Sequence, residues 1–366
     1  MFGIATSVPN QNIISSLTDL SVDSVQIPLH LTSPSPNFLD SLISANIKII
    51  GKYVPPRSSS QTSSSFYKKL FQEYPQITIW DFGGEPETRS HQPGCRWSGS
   101  AEGFVDELRC FYEAGKEVSP FNSIGAGGFI SGTFNGFFGN EDRSYFLKRM
   151  FGSGALDFMD FCSMNLYCYG YGGRKNLLAG ILKMKSLIAE FGKPEMDLAV
   201  AETGVPCSGD PKFLHIIKTE EEQAISLVKN TISNIGLVSY WIWFCLLFQG
   251  WGILKPGTLE PRKAFYAYKK MIRLLKNAKF VGQLKVFPEP ERWLTDLFEW
   301  YKFETPDKEI HVVFLEHEKI RKKFPPGAVA LDIYGKEIIG STLLFSEQPI
   351  YLITSKGASP EEFLRN

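Results

Sequence analysis

The sequence predicts an α/β fold: an eight-stranded (β/α)8, or TIM, barrel over residues 1–276, followed by a small β-sandwich over 277–366. Three observations predict it. Eight short β-rich apolar runs are interspersed with stretches of helical periodicity, the pattern of a parallel sheet wrapped by helices. After Lys276 the pattern changes to short alternating runs separated by turn signals. Two of the barrel runs end in a glutamate, Glu85 and Glu202, at the strand ends where such barrels carry their chemistry. At 366 residues the chain is long enough to bury one large core and still carry a satellite domain.

The predicted strands are Phe2–Val8, Ser24–Leu29, Lys48–Val54, Ile77–Gly83, Asn122–Ile130, Phe161–Tyr167, Leu198–Glu202 and Ser239–Leu247. Helical spacing falls between them at Phe38–Ala45, Ser65–Glu73, Ala101–Glu117, Glu141–Phe151, Lys175–Phe191 and Thr219–Ile235, with Lys263–Lys276 after the eighth strand. The polar loop from Pro55 to Ser64 and the turn-rich stretch through His91, Pro93, Gly94 and Trp97 follow the third and fourth strands, so both are expected on the rim of a cleft. In the tail, Leu284–Phe287, Glu299–Phe303, Ile310–Leu315, Ala328–Tyr334 and Gln348–Thr354 read as strands, with turns at Pro306-Asp307 and Tyr334-Gly335-Lys336. The charged run from Glu316 to Lys323 reads as a solvated loop face.

Lys plus Arg and Asp plus Glu are both 39, so the net charge is zero and no block of one sign offers itself to nucleic acid or anionic lipid. A neutral partner fits better, and the 14% aromatic content suits sugars, which are gripped by ring stacking, although most aromatic residues belong to the core. No apolar run is long enough for a membrane span, and the N-terminus enters a strand without an export signal, so a cytoplasmic location is the default expectation. The six cysteines form no C-x-x-C pair, and free thiols are expected; Cys168 and Cys207 follow neighbouring strands and are the one pair placed for a bridge. The five histidines form no metal-binding pattern, and neither metal nor cofactor is expected.

Glu85 closes Ile77-Thr78-Ile79-Trp80-Asp81-Phe82-Gly83-Gly84, and Glu202 closes Leu198-Ala199-Val200-Ala201. Burying a charge costs several kcal/mol unless it is paired, so an acid ending an apolar strand has either a structural partner or a chemical job. Two such acids point to acid/base chemistry. The structural alternative is that Glu85 caps the following helix while Glu202 sits in an ion pair. Glu87, in the same loop, reads as a surface residue, and Trp80 as core. His30 and Lys52, near the ends of strands two and three, are candidates to contact sugar hydroxyls, and Tyr169 and Tyr171 candidates to line the rim.

In these residues the chain resembles the glycoside hydrolase clan A superfamily, family 39 and its relatives above all, over nearly its whole length. Members carry Asn-Glu-Pro after the fourth strand, with the glutamate as general acid/base, and a nucleophilic glutamate after the seventh. The matching positions are Gly84-Glu85-Pro86 and Glu202. Asn165-Leu166-Tyr167 is similar to the family's His-x-Tyr element, which implies that Tyr167 holds the nucleophile. Tyr240-Trp241-Ile242-Trp243-Phe244 looks like the segment that places a tryptophan under the sugar, which implies Trp243. The closing segment from Leu254 to Tyr268 and the later strands around Ala330–Lys336 and Pro349–Leu352 resemble the barrel closure and accessory sandwich.

The resemblance implies hydrolysis of a β-glycosidic bond with retention in an oligosaccharide, polysaccharide or glycoconjugate. One carboxyl then protonates the leaving oxygen while the other attacks the anomeric carbon, the two lying about 5 to 5.5 Å apart. One departure matters: Gly84 replaces the asparagine that contacts the substrate 2-hydroxyl, a contact that ordinarily strengthens in the transition state. A substitute side chain, a substrate without an ordinary 2-hydroxyl, or weakened catalysis each accommodates that change. The alternative function is therefore a glycosidase-like carbohydrate-binding or structural protein that kept the cleft.

Overall fold

The computed structural model describes all residues except 56–62, 89–96, 98, 131–143, 168–172, 208–218, 285–297, 316–318, 325–326 and 358–366. Eight parallel strands close into a barrel in chain order: β1 (Phe2–Ala5), β2 (Ser24–Pro28), β3 (Lys48–Tyr53), β4 (Ile79–Phe82), β5 (Ser123–Ile130), β6 (Phe161–Asn165), β7 (Asp197–Thr203) and β8 (Tyr240–Trp243). The ring is sealed by β1 pairing with β8, Gly3 opposite Ile242. The helices are α1 (Ile14–Leu20), α2 (Pro36–Ser44), α3 (Ser64–Glu73), α4 (Ala101–Val118), α5 (Ser144–Gly152), α6 (Gly173–Glu190), α7 (Glu220–Asn234) and α8 (Lys263–Leu275). Sequence spacing had given no sign of α1, a single short helix of seven residues.

Local chemistry explains where the helices start. Ser35, Ser63, Ser100 and Thr219 each accept a hydrogen bond from a backbone N–H in the first turn, and Thr219 with Glu222 completes a capping box. Each cap satisfies one of the donors that a helix N-terminus leaves open.

The barrel strands are apolar on both faces, as a buried parallel sheet requires. Inside the ring, Ala5, Ile50, Ile79, Phe161, Ala199 and Ile242 pack as one cluster. Outside it, Tyr53, Tyr67, Phe71, Trp80, Phe82 and Phe111 interlock β3 and β4 with α3 and α4, the Phe71 and Trp80 rings 4.5 Å apart. Trp80 is core: it is fully buried and donates its indole N–H to the Ile77 carbonyl at 3.0 Å. Among the described residues no helix is long and apolar enough to cross a membrane.

By packing, residues 1–18, 22–204 and 237–252 form one compact unit, and 19–21, 205–236 and 253–366 form a second. The second unit therefore takes in α7 and α8 with the C-terminal sheets. These are a five-stranded antiparallel sheet in the order β13 (Val329–Leu331), β15 (Ile350–Ser355), β11 (Lys308–Leu315), β10 (Phe298–Glu304), β9 (Lys279–Gln283), and a two-stranded sheet of β12 (Ile320–Lys323) with β14 (Thr342–Phe345). Phe298, Trp300, Val313, Leu315, Leu343, Phe345 and Leu352 form the core of this small sandwich.

Two tail readings need correction. The end of the charged run is strand, not loop: in β12, Ile320 packs on the sandwich core while Arg321 and Lys323 face out. Strand β9 starts at Lys279, before the predicted Leu284. Its alternate residues are only half-buried, so it carries a weak apolar signal.

Candidate active site

The polar layer of the site lies directly above the apolar layer inside the ring. Side chains alternate along a strand, so two residues beyond Ile50, Ile79 and Phe161 the same faces of β3, β4 and β6 carry Lys52, Asp81 and Ser163. All three are buried, and Lys52 and Asp81 are lateral partners in the β3–β4 ladder. Ser163 donates to Asp81 Oδ1 at 2.6 Å and accepts from the Gly128 N–H at 2.7 Å.

Glu202 reaches this layer through a bulge. On β7, Ala199 faces the interior, so simple alternation would send Glu202 outward. The ladder shifts between Met164 opposite Val200 and Asn165 opposite Glu202, and the extra residue in β7 re-aims the chain. Glu202 then receives two donors: the Lys52 ammonium at 2.5 Å from Oε1 and the Tyr167 hydroxyl at 2.7 Å from Oε2. Because β3 and β7 stand four strands apart in an eight-stranded ring, the Lys52–Glu202 contact spans the barrel.

Glu85 sits on the turn that ends β4. Gly83 has φ 104° and Glu85 itself has φ 55°, a left-handed conformation that costs an ordinary residue about 1–2 kcal/mol. Such a residue persists only where its surroundings fix it, and these positions cluster at functional sites. One fixing contact comes from Asn165, whose Nδ2 donates to Glu85 Oε1 at 3.0 Å. The Gly128 bulge on β5, φ 61°, brings backbone close to both: a Cβ there would lie 3.4 Å from Asn165 Oδ1 and 3.7 Å from the Glu85 nitrogen. Asn165 thus stands between the glutamates, bonded to one and opposite the other in the ladder.

The electrostatics follow from this packing. Burial pulls the Lys52 ammonium toward neutrality, but the charges of Glu202, Asp81 and Glu85 and the hydrogen bond to Glu202 together outweigh it, so its pKa is raised. A lysine raised on folding stabilises the fold below its unfolded pKa, near 10.5, and that contribution is lost only as pH rises through the folded value. Burial holds the Asp81 carboxyl above the usual carboxylate range, against the pull of Lys52 and Ser163. Burial likewise pushes the Cys162 and Cys245 thiols far up, which leaves both as inert thiols rather than nucleophiles.

Several sequence expectations change here. Trp243 is fully buried, so it presents no face to a sugar. Ile242 belongs to the barrel interior, which turns Trp243 outward and brings Phe244 to the inner side. Phe244 packs at 6.1 Å on Trp251, and Trp251 packs edge-on at 5.5 Å on Tyr167, an aromatic group that sequence reading missed. Glu87 is not a surface residue: it is 3% exposed, whereas Glu85 is partly open. Trp97 is buried too, its indole donating to the Ser100 carbonyl, and serves packing rather than the rim. His30 lies two residues past β2 and is partly buried. Cys207 is buried; Cys168, its expected neighbour, and Tyr169, Tyr171 and His91 lie outside the described residues.

Gly84 has a steric cause. A Cβ at this position would lie 2.9 Å from Val54 Cγ2, and Val54 is buried, so no side chain fits without displacing it. Gly84→Asn is expected to destabilise the protein by about 1–3 kcal/mol. Adding Val54→Ala should recover part of that loss in denaturant unfolding, a non-additivity that two independent sites would not show.

No protein-family model matches the chain, and no curated protein does. Solved structures do match it over almost its full length. A glucosidase from Croceicoccus marinus aligns with a TM-score of 0.68 at 11% identity, covering 98% of this chain and 96% of that one. A glycoside hydrolase family 39 β-xylosidase from Caulobacter crescentus aligns at 0.62 and 12% identity, covering 96% and 95%. A family 30 subfamily 8 xylanase from Clostridium acetobutylicum aligns at 0.62 and 10%, covering 96% and 94%. The barrel with its C-terminal sandwich is thus an architecture shared with glycoside hydrolases.

Proposed function

We propose that the protein is a retaining β-glycoside hydrolase in which Glu202 is the nucleophile and Glu85 the general acid/base. The observation that carries this reading is the treatment of Glu202: an otherwise costly inward carboxylate whose two oxygens are each held by a donor, the Lys52 ammonium and the Tyr167 hydroxyl, which fix it in place across the barrel as an attacking group must be fixed. Glu85, partly open and held by a neutral amide from the same ladder position that faces Glu202, is the acid placed to protonate a leaving oxygen. The first half-reaction joins Glu202 to the anomeric carbon as the leaving group takes the Glu85 proton; in the second, Glu85 takes a proton from water as it displaces Glu202.

The test is hydrolysis of a panel of aryl β-glycosides with the anomer of the first-formed product followed by NMR. Glucosides and xylosides head the panel because of the glucosidase and xylosidase likeness, and 2-acetamido and 2-deoxy sugars join it because of Gly84. Turnover with a β product first is expected. The second reading, a carbohydrate-binding protein of weakened activity, draws on Gly84, and an inactive protein that still binds glycans would favour it.

A further inference from the structure

The Lys52–Glu202 pair raises a question that the two-carboxylate scheme leaves open: what becomes of a buried cation when its partner is esterified. The Lys52 side chain is 7% exposed and that of Glu202 19%, so water screens the pair poorly. Lys52 bonds Glu202 on β7 and is the ladder partner of Asp81 on β4; Asn165, opposite Glu202 on β6, carries Glu85 on the turn after β4, whose charge also acts on Lys52. Glu202 is faced in turn by Tyr167 after β6 and by the neutral Cys245 after β8, and Asp81 by Ser163 and the neutral Cys162 on β6.

We propose that Lys52 is the common counter-ion of the two glutamates, neutralising Glu202 in the free enzyme and Glu85 in the glycosyl-enzyme. The inference rests on the hydrolase reading above and adds a positioning residue to it. The charges balance as follows. In the first half-reaction an oxygen of Glu202 bonds to the anomeric carbon, the bond to the leaving oxygen breaks, and that oxygen keeps the electron pair and takes the proton of Glu85. Glu202 becomes a neutral ester and Glu85 an anion, while Lys52 keeps all its protons. The negative charge has moved from Glu202 to Glu85, and the net charge of the site is unchanged with the cation in place. In the second half-reaction water bonds to the anomeric carbon and gives its proton to Glu85, and the ester bond breaks with its electron pair returning to Glu202. The cation therefore favours the base form of Glu85 at the stage when a base is needed.

The experiment uses Lys52→Gln, which keeps a hydrogen-bond donor and removes the charge, and Lys52→Arg, which keeps the charge. Both are assayed on a 2,4-dinitrophenyl β-glycoside that the wild type turns over, by stopped flow. With this leaving group the first step needs no acid, so the second step is isolated. Lys52→Gln is expected to show a full burst of dinitrophenolate followed by a steady state slowed about 10²-fold, with the glycosyl-enzyme visible by mass spectrometry. Lys52→Arg should retain a ratio of the two steps near that of the wild type. Equal slowing of both steps in Lys52→Gln, or a second step unaffected by loss of the charge, overturns the proposal while leaving the hydrolase reading intact. If Lys52→Gln does not fold, the Arg variant decides: a folded, charge-retaining protein with a selectively slow second step overturns it. A wild type without turnover on any glycoside overturns both readings together.

Discussion

On the proposed mechanism, Glu202→Ala is expected to lose about 10⁴- to 10⁶-fold in kcat/KM on every glycoside the wild type accepts, because among the described residues no other group is placed to form the covalent intermediate. The alternatives nearby are poor. Asp81 is buried below the site with a carboxyl held toward its neutral form, Cys162 and Cys245 are inert thiols, and Glu87 is enclosed in the turn after Glu85. A mechanism-based 2-fluoro glycoside should accordingly label the wild type at Glu202 and leave the variant unlabelled. A loss of only tenfold, or labelling at another residue in the wild type, would remove Glu202 from the role.

The same substitution has a stability consequence that separates chemistry from folding. It leaves the Lys52 ammonium buried without its 2.5 Å partner, and breaking a buried pair from one side costs about 3–5 kcal/mol. Glu202→Gln and Lys52→Met should each lower the denaturant midpoint. The double variant, which removes both charges, should lie above the sum of the two losses. Activity stays lost in the double variant, so recovered stability with no recovered turnover would show that the catalytic defect is not an unfolding defect.

The barrel was legible because each strand carries its own local signature. Eight apolar runs begin within two residues of eight observed strands, and four of the helices between them start at serine or threonine caps. In the tail, β10, β11 and β15 were legible as buried runs, whereas β9, β12 and β14 were not because they are short and half-exposed. Arg321, Lys322 and Lys323 hide the alternation by which β12 packs Ile320 inward, and the four residues of β14 give no period to read. At the site, the two glutamates stood out as charged groups at the ends of apolar strands, whereas Tyr167 was reached only through the resemblance of Asn165-Leu166-Tyr167 to the His-x-Tyr element. Trp243 was misplaced by one residue in a run where every position from 240 to 244 is aromatic or apolar, and in a strand one residue is the difference between helix layer and barrel interior. The partner of Lys52 was unreadable for another reason: it lies 150 residues away and across the ring, a relation that only closure of the barrel creates. Glycine at 84 reads as a missing contact in the sequence, but in the fold it is what the packing of Val54 requires.

Glu85→Ala is expected to leave the first step nearly intact on a 2,4-dinitrophenyl glycoside, whose leaving group needs no proton. On substrates with poor leaving groups it should cost about 10²- to 10⁴-fold. The second step loses its base in every case, and azide, an anion that needs no deprotonation, should restore turnover and yield a β-glycosyl azide. An α-azide would mean inversion at the first step and would displace Glu202 as nucleophile; no azide product with unchanged leaving-group dependence would displace Glu85. Stability should move independently of these rates. At φ 55° alanine keeps the backbone strain of the wild type, whereas glycine is at ease there, so Glu85→Gly should be more stable than Glu85→Ala by about 1 kcal/mol while sharing its kinetics. If so, the strained turn is retained for the position in which it holds a carboxyl against Asn165, and not for the fold, which a glycine would serve better.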